Sequence, residues 1–139
     1  MRMSDEMKNF FGKNIHVYTR AQALEDGVLV DVSKTALEAG FKVPVALTRA
    51  VWDRFVAWTD EDTDNQTIQD EAGRLWDILS MLMFAIQRDR SEADQLIYQL
   101  AVVPRDGKSR SAKRIKLKSS IGGGDKGELV LTIMLSTED

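Results

Sequence analysis

At 139 residues, 43% of them hydrophobic, the chain is sized for one domain with a buried core. Its 19 basic and 22 acidic residues leave a net charge of −3, too small to define a partner by bulk charge alone. The absence of cysteine excludes disulfides, thiolate metal sites and cysteine nucleophiles, and a single histidine excludes a histidine-rich metal centre within one chain.

The first 13 residues lack the apolar centre of a secretory signal and mix Asp5 and Glu6 with Arg2 and Lys8. They are expected to form a flexible arm of a single α+β domain spanning 1–139. A short strand is expected over residues 15–18. Thr19 and Gln22 form a capping-box pattern that opens a helix over residues 20–26, and Gly27 stands where such a helix ends. The β-branched run Val28, Leu29, Val30, Val32 predicts extended chain, with Ser33 as cap of a second helix over residues 34–39. Residues 41–47 are extended too. Pro44 cannot donate to a ladder, so this run is expected at a sheet edge or in a connection. Thr48 caps a helix reaching about Trp58.

An acidic loop is expected over residues 59–65, and Thr67 with Asp70 marks the next helix start. In that helix Ile68, Ala72, Leu75, Leu79, Leu82 and Ile86 recur every three or four residues. Trp76, Ile78, Met81, Met83 and Phe84 widen the stripe until little is polar, which predicts a central helix covered on most sides. Trp52, Trp58 and Trp76 are expected in the core. Its longest apolar-rich run, residues 75–86, is too short and too polar for a bilayer span.

After Ser91 the period shortens from 3.6 to 2. Leu96, Tyr98, Leu100 and Val102 alternate along one strand, and Ile115 and Leu117 alternate with Arg114, Lys116 and Lys118 along another. Residues 128–135 are apolar on both faces, which predicts a central strand. The sum is an N-terminal helical portion and a long central helix packed on a C-terminal antiparallel sheet of about three strands, in an order left open.

Two charged segments stand apart. Residues 60–71 hold six acids and no base; residues 105–118 hold seven bases and one acid. Asp60, Glu61, Asp62 and Asp64 form a candidate partner-binding surface, and as loop residues all four should tolerate charge reversal. They lack the glycine and terminal glutamate of an EF-hand loop, so no metal site is expected. Arg105, Lys108, Arg110, Lys113, Arg114 and Lys116 lie on a basic hairpin over residues 104–118 that can follow a phosphate backbone or an acidic protein face. It carries no interleaved aromatics for base stacking. The glycine-rich run at residues 119–127 leads into a strand, unlike a phosphate-binding loop that leads into a helix, and is expected to be a hairpin turn. His16, Tyr18 and Arg20 could line a polar pocket, but no nucleophile accompanies them. No catalytic residue, metal or cofactor is assigned.

The blocks YTRAQALEDGVLVDVS (residues 18–33), AGFKVPVALTRAVWD (39–53), RLWDILSMLMFAI (74–86) and GDKGELVLTIML (124–135) resemble an uncharacterised family of small proteins from phages, plasmids and integrative mobile elements. The last block departs from the family in carrying Leu129 where proline is common, which concerns the start of a strand. The resemblance brings no catalytic residues. It implies a small cytoplasmic accessory protein that blocks host defence, as anti-CRISPR proteins do, by occupying a surface of a larger complex. Three expectations follow in order: a non-enzymatic inhibitor binding a protein subunit of a nucleic-acid-targeting defence complex, a DNA- or RNA-binding accessory protein using the basic hairpin, and a small enzyme with a pocket near His16. Oligomeric state stays open.

Overall fold

The computed structural model describes residues 18–139. His16 and the expected arm lie outside them, as does the expected strand over residues 15–18 except Tyr18, which sits in irregular chain. The elements are α1 (Arg20–Glu25), β1 (Leu29–Asp31), α2 (Ser33–Glu38), β2 (Val45–Thr48), α3 (Arg49–Val51), α4 (Asp60–Asn65), α5 (Glu71–Arg88), β3 (Gln95–Val102), β4 (Lys113–Gly123) and β5 (Leu129–Leu135). The fold is α+β.

Local signals set the early elements. Thr19 accepts the Gln22 amide and the Gln22 side chain accepts the Thr19 amide, closing the box at the start of α1. Gly27 follows with φ +77, a left-handed conformation costly for any residue with a Cβ. Ser33 is not a cap. It is the first residue of α2, and its hydroxyl bonds Asp31 and receives the Val45 amide, tying helix to strand.

The sheet has five strands, not three, in the order β1-β2-β5-β4-β3. The chain's last three strands form the expected antiparallel meander, with Leu117 opposite Leu135 and Tyr98 opposite Leu117. β5 is the middle strand, as apolar residues on both its faces require. The mixed character arises because β2 pairs parallel to β5 while β1 pairs antiparallel to β2. Residues 41–47 therefore do not form an edge. Pro44 precedes β2, where its missing N–H breaks no ladder bond, and its carbonyl accepts the Leu131 amide. β4 also runs further than expected, because Gly122 and Gly123 pair with Val130 and Leu129 before the turn.

One sheet face carries the core. Tyr98, Leu100, Leu117, Leu131, Ile133 and Leu47 pack against Leu75, Ile78, Leu79 and Leu82 of α5, with Phe41, Val51 and Val56 closing the sides. The outer side of α5 is open, where cover on most sides was expected: Trp76 is 43% exposed and Phe84 61%. Helix α5 covers the sheet from one side, so among the described residues its second apolar stripe has no layer to meet. Trp58 is buried and Trp52 half-buried, which leaves Trp76 as the tryptophan outside the core.

Candidate functional site

The acidic segment is a helix, not a loop. Thr59 opens α4 with a second capping box, its hydroxyl accepting the Asp62 amide while Asp62 accepts the Thr59 amide. Asp60, Glu61 and Asp62 occupy the first turn, where negative charge meets the positive end of the helix dipole. Asp62 also takes the Arg105 side chain at 2.8 Å. Burial acts to raise the Asp62 carboxyl, but the Thr59 and Arg105 bonds outweigh it and hold it below its ordinary range. The outward acids are thus Asp60, Glu61 and Asp64. Asp62 is an internal tie, and the expectation that all four tolerate reversal is corrected on that ground.

The same tie joins the two charged segments. Just before α4 the backbone widens into a π-helical turn over Trp52–Val56, closed by the Ala57 amide on the Trp52 carbonyl. Its later carbonyls turn to other donors. Arg74, buried at the start of α5, donates to Val56 (3.0 Å), Val103 (2.7 Å) and Arg54 (3.4 Å), with its guanidinium over the Trp58 ring at 4.4 Å. Burial lowers its pKa to about 10, so it stays a cation at neutral pH. The Arg105 amide takes the Arg54 carbonyl again.

Gln66, also buried, finishes the joint. Its amide nitrogen donates to the Pro104 and Ser109 carbonyls and to Asp106, while its oxygen accepts the Gly107 amide. Asp106 accepts the Ser109 hydroxyl, the Ser109 amide and the Lys108 amide, which hold its carboxyl well below the usual carboxylate range. The tip of the basic hairpin is therefore a built loop. Sequence reasoning missed Arg74 and Gln66. Arg74 lies four residues before Ile78, on the buried helical phase, and that was the available signal.

The other candidate cations are spread over different faces. Lys108 and Arg110 are exposed on the loop. Arg114 and Lys116 lie opposite Ala101 and Gln99 on the face turned away from α5, and both are exposed. Lys118 shares that face but is half-buried, with its ammonium on the Glu138 carbonyl. Lys113 has the register of the core-facing row. The hairpin thus offers a short cationic row on an open sheet face rather than one continuous basic surface.

The expected polar pocket is not assembled by the described residues. The Tyr18 hydroxyl donates to Asp26 at 2.7 Å, whereas Arg20 reaches the Thr132 hydroxyl and the Leu131 carbonyl. Partial burial lowers the Arg20 pKa. Asp125, in the glycine-rich turn, accepts the Arg20 and Ala21 amides and so holds the start of α1; those two bonds lower its pKa. That turn is a structural clasp. Among the described residues no group of three or more His, Cys, Asp or Glu is placed to hold a metal ion, and no helix is long and apolar enough to cross a membrane.

Residues 7–139 match the family model described as a family of unknown function, DUF6573, and the chain belongs to that family. No curated protein and no solved structure gives a significant match.

Proposed function

We propose that this member of DUF6573 is a non-enzymatic inhibitor that works by binding a protein subunit of a larger host complex. One observation carries the reading. Asp60, Glu61 and Asp64 stand outward on a helix locked in place by Thr59, Asp62–Arg105 and Gln66, so the acidic surface is rigid and needs no ordering on binding. A fixed patch of one sign suits docking on a basic protein groove. The resemblance to proteins of phages, plasmids and integrative elements narrows the complex to a nucleic-acid-targeting defence system, in the manner of anti-CRISPR proteins.

A second reading has its own support. Arg114 and Lys116 on the open sheet face, with Lys108 and Arg110 on the adjoining loop, suit a phosphate backbone or an acidic protein face.

Reversing Asp60, Glu61 and Asp64 to lysine, with Asp62 kept, separates the two. Partner affinity should fall by about tenfold or more, and more steeply at low salt. Circular dichroism should match the parent, while unfolding stability should fall by about 1–2 kcal/mol, because Asp60 and Glu61 lose their favourable place at the positive end of the α4 dipole. Unchanged affinity, together with loss of binding in an Arg110, Lys113, Arg114 and Lys116 reversal, would replace the first reading by the second.

A further inference from the structure

We infer that the outer stripe of α5 and the free edge of β3 form a two-fold interface with a second copy of this chain. The inference stands on the chemistry of those two elements and does not depend on the reading above.

Asp77, Met81, Phe84 and Arg88 are spaced by four, three and four residues, which puts them within about 60° of one another around the helix. All four are exposed, Phe84 at 61% and Met81 at 42%. The stripe reads acid, apolar, apolar, base. Such a pattern is complementary to itself when two copies run antiparallel. About an axis midway along the stripe, Asp77 meets the partner's Arg88 and Met81 meets the partner's Phe84. Neither Asp77 nor Arg88 has a side-chain hydrogen bond or ion pair among the described residues, so both charges are available.

The strand beside the stripe fits the same axis. Met81, Phe84 and Arg88 share a groove of about 360 Å³ with Leu96, Ile97 and Gln99 of β3. β3 is the last strand of the sheet. The Ile121 amide donates to the Asp94 carbonyl, so alternation turns the backbone groups of Leu96, Tyr98, Leu100 and Val102 towards β4. Those of Gln95, Ile97, Gln99 and Ala101 face outward, without a ladder partner among the described residues. Edge strands are ordinarily protected by charges, prolines or bulges. The segment QLIYQLAV carries no charge and no proline, and its eight residues are all paired in regular register with β4. Antiparallel pairing of β3 with its own copy satisfies these groups, and the neighbouring α5 stripes then lie side by side in the sense that their charges require. The cations Arg114 and Lys116 sit one strand in from the edge. On pairing they stand three strand spacings apart, about 14 Å, beyond the screening length at physiological salt.

Sedimentation equilibrium of the full chain tests the interface. The parent should dimerise in a concentration-dependent way, and Phe84→Glu should weaken the dimer by about tenfold or more. Asp77→Arg alone places two cations together and should weaken it as well. The double variant D77R/R88D restores opposite charges and should recover most of the parent affinity. Because all these positions are exposed, circular dichroism should match the parent throughout. A parent that stays monomeric at its highest soluble concentration overturns the inference and leaves the stripe to a different protein. So does a dimer indifferent to Phe84→Glu, or one that D77R/R88D fails to recover relative to Asp77→Arg.

Discussion

Arg74→Met is expected to cost about 2–5 kcal/mol in urea unfolding, because it leaves buried carbonyls without a donor at about 1–3 kcal/mol each. The side chain holds the Val56 and Val103 carbonyls at short range and the Arg54 carbonyl more loosely, and it lies over Trp58. Methionine fills most of the volume and answers none of those acceptors. The damage should be local as well as global: amide exchange should rise across the loop that Gln66 and Asp106 organise, and the Asp62–Arg105 pair should loosen with it. Arg74→Lys keeps the charge but cannot address three directions from one plane, so an intermediate loss is expected. A variant melting with the parent would show that the joint between the acidic helix and the basic hairpin is held by other means.

Leu79→Ala should cost about 2–5 kcal/mol, the usual range for a fully buried leucine in a packed core. Leu79 has no exposed surface, and it belongs to the same cluster as Ile78, Leu82, Leu117 and Ile133. The paired control is Ile68→Ala. Ile68 falls on the same sequence stripe but is 81% exposed and precedes α5, so its loss should stay within about 0.5 kcal/mol. Equal costs at the two positions would contradict the orientation of α5. Thermal or urea unfolding of both variants is the measurement.

That contrast shows where the sequence is legible. The capping box of Thr19 and Gln22 lies within four residues, and it forms as expected. Burial of β5 on both faces follows from its composition for the same reason: the pattern is local and strong. The parallel pairing of β2 with β5 joins residues more than eighty positions apart, and nothing in residues 41–47 announces it. Pro44 argues for an edge only where it belongs to a strand, and here it precedes β2. Composition suggested a loop where α4 forms, although Thr59 and Asp62 already had the spacing of a cap. In α5 the stripe that periodicity marks does meet the sheet through Leu75, Leu79 and Leu82, whereas Ile68, Ala72 and Ile86 at its ends are exposed.

The charged segments follow the same division. Their exposure was legible, since Asp60, Glu61, Asp64, Arg110, Arg114 and Lys116 are all on the surface. Their mutual arrangement was not. The pairing of Asp62 with Arg105 spans 43 residues, and it depends on a π turn, a buried glutamine and a buried arginine that look like solvent residues in isolation. The separation of charge along the chain is thus partly closed in space. What remains open is an acidic helix and a separate cationic row, and the proposed function rests on the first of these.

Co-purification from a host carrying an active nucleic-acid-targeting defence complex tests that proposal most directly. With tagged full-length protein and exhaustive nuclease treatment of the lysate, one subunit of the complex should be retained in near-stoichiometric amount. It should be lost when Asp60, Glu61 and Asp64 are reversed. Recovery of no defence subunit from any host tested, or of nucleic acid alone before nuclease treatment and nothing after it, would contradict the account.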